Sequence, residues 1–221
     1  MTARTKSPVV EKMDSIQKQV GHFLKLKGFK KVGRSFNRSA MDGIVHVVGF
    51  QMGEYPIGNY VVPGLRENLY GKFTVNLGVS LPCVLLAERG NLPKSSVHDY
   101  DCEIRGRLSS IANIGPDVWW PLDDSISETA DQIISHLSKS GLSFFENYSS
   151  YDLVLGSYQK FDGFPNQNAG RAALGAAITA WAIGDRSQSD KLFETALAHA
   201  DSTNHKGFRS HIILLKGRLE A

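Results

Sequence analysis

Two cysteines in 221 residues, Cys83 and Cys102, are too few for a disulfide framework or a four-thiolate zinc site. No CxxC, HExxH or HxxxH occurs, and the seven histidines are scattered, so the familiar metal-ligand spacings are excluded. No apolar run approaches the roughly 18 residues that span a bilayer. The opening "MTARTKSPVVEKMDS" has charges but no apolar core, so export is not expected. These absences together predict a cytoplasmic protein with both thiols reduced, no membrane partner and no cofactor. "GRAALGAA" (170–177) has two glycines but lacks the Lys and Ser/Thr of a phosphate-binding loop. "GVSLP" lacks the second glycine of a hydrolase nucleophile elbow, and no triad partners can be assigned to Ser80. A catalytic set is not found, and the reading leans away from an enzyme.

What is present is unevenly charged. Residues 1–38 hold ten Lys/Arg against Glu11 and Asp14, a net +8, which leaves −5 for the remainder. A basic end can recruit nucleic acid or an acidic protein, although a solvated lysine face on a helix is the more ordinary account.

The first element is a helix. Ser7 is placed to cap it, Pro8 suits its first turn, and Met13, Ile16, Val20, Phe23 and Leu24 form one apolar stripe. Gly28 stops it, with Phe29 positioned to fold back on the last turn. "RSFNR" and "IVHVVGFQM" follow as strands around an "MDG" turn, the second apolar on both faces, as a central strand would be. "YGKFTVNLGVSLP" (70–82) alternates strictly. Phe73, Val75, Leu77 and Val79 face one way, Thr74, Asn76, Gly78 and Ser80 the other. "DCEIRGRLSSI" alternates again, and "DVWWPL" reads as a short edge strand ended by Pro121. Ser125 and Glu128 have capping-box spacing before a helix that Gly141 is expected to close. Three helices are expected near 169–183, 190–200 and 206–219.

Helix, then strands, then helices is the order of an α+β fold. The expectation is an N-terminal helix, an antiparallel sheet of about four to five strands and a helical C-terminal half. Residues 1–150 would form the α+β domain and 151–221 a helical extension.

The candidate contact residues lie on the strands. Thr74 and Asn76 offer small hydrogen-bonding groups, Arg105 and Arg107 offer guanidinium forks, and Gln51 borders them. Trp119 and Trp120 are adjacent on a strand, so one can plug the core while the other meets a partner. A rival account pairs the arginines with Asp117, Asp123 or Asp124 of the chain itself. "HDYDCEIR" (98–105) has a faint likeness to the carboxylate pattern of metal-dependent nucleases. Arg105 stands where such enzymes use Lys, and a permanently protonated group suits that role poorly. The long loop at 53–68 is a candidate cover for a small-molecule pocket.

Together "KLKGFKKVGRSFNR", "VVGFQMG", "FTVNLGV", and "DCEIRGRLSSI" with "DVWWPL" resemble, in order and spacing over about residues 10–145, the bacterial family of domain of unknown function 4304. The resemblance implies a small α+β domain and carries no catalytic residues across. Two function classes remain: a non-catalytic module that binds another protein, of antidote or immunity type, and a nucleic-acid-binding or nuclease-like protein.

Overall fold

The computed structural model describes residues 6–55, 61–62, 67–92 and 96–221. Helix α1 spans Pro8–Leu26, and its stripe of Met13, Ile16, Val20 and Leu24 is wholly buried. Each such side chain contributes about 1.5–3 kcal/mol by leaving water. The helix ends as its sequence predicts: Gly28 takes φ 83°, its N–H donates to the Lys25 carbonyl, and the Phe29 N–H donates to Leu24. Ser7 occupies the N-cap position but its side chain makes no capping bond.

The strands are β1 (Lys30–Val32), β2 (Ser35–Ser39), β3 (Val45–Met52), β4 (Lys72–Ser80), β5 (Ile104–Arg107) and β6 (Trp120–Pro121). They form an antiparallel sheet in the order β1-β2-β3-β4-β5, with β6 pairing the first residues of β4 so that Phe73 stands opposite Trp120. The α+β class and the antiparallel sheet are as expected. Phe73, Val75, Leu77 and Val79 are fully buried, and β3 is buried over most of its length.

The chain divides into two compact units interleaved along the sequence: residues 1–38, 48–77 and 106–143 in one, residues 39–47, 78–105 and 144–221 in the other. In the first unit, α1 packs against α4 (Ile126–His136), and Phe36, Phe50, Phe73 and Trp120 make a row of ring contacts. The second unit holds α2 (Pro82–Arg89), α6 (Tyr151–Phe161), α7 (Ala169–Ala182), α8 (Arg186–Ser202) and α9 (Lys206–Glu220). Helix α7 buries an almost unbroken series of small residues, which lets α8 approach closely enough for the Ser189 hydroxyl to donate to the Ala177 carbonyl at 2.9 Å. Gly170 belongs to this packing, since a Cβ there would lie 2.5 Å from the His199 ring.

Three local expectations are corrected. Leu108–Ile111 forms a short helix, α3, rather than continuing the strand. Gly141 does not end a helix: α4 runs on through a π turn, Leu137–Gly141, into α5 (Leu142–Glu146). The missing side chain of Gly141 instead admits Leu137, Leu77 and Leu108, all within 3.6 Å of where its Cβ would be. At Ser125 no capping-box bond forms; the Asp123 carboxylate accepts from the Ser125 N–H and hydroxyl.

Candidate functional site

In the first unit the strand candidates gather around Arg107. Its Nη1 donates to Asn76 Oδ1 at 2.7 Å and to Gln51 Oε1 at 3.0 Å, joining residues from β3, β4 and β5. Its Nε lies 3.0 Å from Asp117 Oδ1, and the guanidinium sits 5.3 Å from the Trp119 ring centroid. The other Asp117 oxygen accepts from Trp119 Nε1 at 3.1 Å, so one carboxylate bridges cation and indole. Alternation explains the split of the two tryptophans: Trp120 turns inward onto Phe73 and is 6% exposed, while Trp119 lies half-buried beside Arg107. The Ser109 hydroxyl accepts from the Val118 N–H and fixes the approach to this strand.

Two of the candidate contacts are corrected by burial. Thr74 is completely enclosed, with no hydrogen-bond partner for its hydroxyl among the described residues, because β4 is internal to the sheet and covered on both sides there. Trp120 is a core residue. Neither presents a surface to a partner. Gln51 is exposed and Asn76 half-buried, but the Arg107 fork between them is committed to the chain's own acceptors.

Arg105 belongs to the second unit, where it lines a polar cleft of about 350 Å³ with Glu103, Arg89 and Arg171. The nuclease-like carboxylates do not converge there. Asp101 pairs with Arg89 at 3.2 Å, and Glu103 Oε2 accepts the Leu81 N–H at 2.6 Å. Among the described residues no three His, Cys, Asp or Glu side chains gather as metal ligands would. Burial, opposed by the Leu81 N–H, pushes the Glu103 carboxyl up to about 7. Enclosure was invisible in the sequence, where Glu103 reads as part of a charged strand face.

The remaining reactive-looking groups are structural. His46 stacks on Phe145 at 4.8 Å and its Nε2 bonds the Tyr148 carbonyl; Ser80 is buried. Burial raises the pKa of both cysteine thiols, which disfavours the nucleophilic thiolate. The candidate pocket beneath the 53–68 loop involves residues 56–60 and 63–66, which lie outside the described residues.

The charged N-terminal segment surrounds another concavity, in the first unit, that charge counting alone could not locate. Gln17, Gly21 and His22 of α1 form one wall, and Phe29 with β1 and Phe36 of β2 the other. Gly21 allows the meeting, since a Cβ there would come within 3.1 Å of the Phe36 ring. The groove measures about 370 Å³, has a mainly apolar floor, and is rimmed by the exposed Lys18, Lys25, Lys30 and Lys31. None of these four has a carboxylate at ion-pair distance among the described residues, whereas Lys6 and Lys12 of the same segment are paired with Asp14 and Asp124. The lysine face is therefore not a uniformly solvated helix surface; four of its members, Lys18, Lys25, Lys30 and Lys31, rim one groove.

No described helix is long and apolar enough to cross a membrane. No curated protein and no solved structure matches the chain. The family described as Domain of unknown function (DUF4304) matches residues 20–147, a stretch that takes in the lysine-rimmed groove from Val20 onward and the Arg107 cluster, and the chain belongs to that family.

Proposed function

We propose that the protein is a non-catalytic binding module whose partner is another protein, engaged through an acidic, partly apolar segment seated in the groove between α1 and the β1–β2 hairpin. One observation carries the reading: four unpaired lysines surround an apolar depression. Apolar floor and cationic rim are complementary to a peptide that alternates a greasy anchor with carboxylates. An antidote- or immunity-type role, in which the module covers a partner's working surface, is one form of this activity.

The same lysines would attract nucleic acid, but the groove lacks the open aromatic faces on which bases stack. Phe29 and Phe36 are 3% and 2% exposed, and their rings are already approached by Arg38 and Lys31. The test is fluorescence anisotropy with three labelled probes: a twelve-residue Leu/Glu amphipathic peptide, its Leu/Lys counterpart and a dT20 oligonucleotide. The acidic peptide is expected to bind, and the combined Lys18→Gln, Lys25→Gln, Lys30→Gln, Lys31→Gln variant to lose most of that affinity. Tighter, strongly salt-dependent binding of the oligonucleotide would replace this reading with the nucleic-acid one. Equal binding of both peptides would reject the groove as a charge-selective site.

A further inference from the structure

The polar cleft of the second unit is a separate site with its own chemistry. It lies between the C-terminal end of α2, the stretch from Tyr100 to Arg105, and the segment from Phe164 to Gly175. Its walls are tied together before any ligand arrives. The Asn166 amide donates to the Arg105 carbonyl at 3.0 Å, and the Gln167 amide donates to the carbonyl of Glu103. A preformed cavity of about 350 Å³ is at the lower end of the range for small-molecule sites.

The charges around it largely cancel in pairs. Glu88 is held by Arg171 at 3.1 Å and lies 3.8 Å from His211 Nε2, and Asp101 is held by Arg89 at 3.2 Å. Two charged groups are left over, of opposite sign. Glu103 has no cation at ion-pair distance among the described residues, and one of its oxygens accepts the Leu81 N–H. Arg105 is exposed and has no carboxylate at ion-pair distance among the described residues; its Nη1 donates only a long bond, 3.4 Å, to the Tyr100 carbonyl. The same lining includes the apolar Val84, Phe164 and Leu174.

We propose that this cleft binds a small zwitterion of the amino-acid class, with its ammonium on Glu103, its carboxylate on the Arg105 fork and an apolar side chain against Val84, Phe164 and Leu174. A carboxylate is the natural mate of a guanidinium, which presents two parallel N–H donors to it. An ammonium supplies the proton donors that an enclosed carboxyl needs, and the ligand leaves neither residual charge uncompensated. An anion alone would satisfy Arg105 and leave Glu103 facing it with like charge. A cation alone would leave Arg105 unmatched.

The experiment uses the full chain and isothermal titration calorimetry at pH 8, first with each of the twenty protein amino acids. The best apolar binder is then compared with two single-charge analogues, for L-leucine isoamylamine and 4-methylpentanoate. The zwitterion is expected to bind at least about tenfold tighter than either analogue, since each lacks one charge-assisted contact. Arg105→Ala should weaken the zwitterion about tenfold without weakening the amine, while Glu103→Gln weakens the zwitterion without weakening the carboxylate analogue, since each variant also removes the charge that repels that analogue. Arg105→Lys, which keeps the charge without the fork, should fall between. No heat from any of the twenty overturns the proposal. So does an analogue that binds as tightly as the zwitterion, or a variant pair that fails to separate the two ends.

Discussion

Replacing Glu103 by Gln should make the protein more stable above neutral pH and leave it unchanged in acid. The carboxyl is pushed from the ordinary 4.5 up to about 7, chiefly by desolvation, with the nearby Glu88 adding to the rise and Arg89 and the Leu81 N–H opposing it. Below pH 4.5 the group is protonated in the folded and unfolded chains alike, and contributes nothing to the balance. Between 4.5 and about 7 the unfolded chain loses its proton first, so the unfolded state gains and stability falls as pH rises. Above about 7 both states are ionised and the full penalty persists. The displacement of about 2.5 pH units corresponds to roughly 3 kcal/mol at 1.36 kcal/mol per unit. Gln keeps the size and the carbonyl oxygen that accepts the Leu81 N–H, and removes the charge. Urea unfolding at pH 4, 5.5, 7 and 8.5 should therefore show a stability difference near zero at pH 4 that grows to about 3 kcal/mol by pH 8.5. A difference that is flat with pH, or a Gln variant less stable than the parent at pH 8.5, would refute the account of an enclosed carboxyl.

Two further outcomes follow from the packing. Arg107→Ala strands Asp117, releases Gln51 and Asn76 and uncovers Trp119; with the arginine side chain 27% exposed, the expected loss is about 1–2 kcal/mol, read by urea unfolding together with a shift in tryptophan emission. An unchanged midpoint and emission would show that the cluster holds nothing in place. Gly170→Ala should destabilise by about 1–3 kcal/mol despite alanine's better helix propensity, because the new methyl would fall 2.5 Å from His199 and 2.9 Å from Phe208. A neutral or stabilising result by the same measurement would mean that α7 and α8 stand further apart than described.

The elements legible in the sequence were those whose signals are local. Helix α1 carried its stripe, its first-turn proline and its glycine ending within one stretch, and β4 carried its apolar alternation in nine residues. What stayed illegible depended on neighbours remote in sequence. Strand β1 is Lys-Lys-Val with every residue exposed; it is a strand only because β2 pairs with it, and no alternation could announce it. Helix α2 has local signals only at its ends, Pro82 at its start and Gly90 at φ 71° past its end, and the eight residues it spans are too few to announce a helix by periodicity. Gly28 and Gly141 show why a glycine is ambiguous in sequence. The first is needed for its positive φ, the second for the space it leaves to Leu137, and the chain spells both the same way.

The same distinction governs the candidate sites. Alternation identifies which side chains share a face of β4, but whether that face is open is a property of whatever covers it, so Thr74 shares the polar face its sequence position implies and is nonetheless buried. Charge could be counted but not paired. The sequence excess in residues 1–38 becomes informative only because Lys6 and Lys12 form ion pairs while Lys18, Lys25, Lys30 and Lys31 form none with the described residues. Likewise Arg105 and Arg107, two positions apart and identical in type, part company through partners: Arg107 is bound by Asp117, Gln51 and Asn76, while Arg105 has no carboxylate at ion-pair distance among the described residues. In this protein the residues left for a ligand are found by subtracting the internal pairs, and that subtraction requires the folded chain.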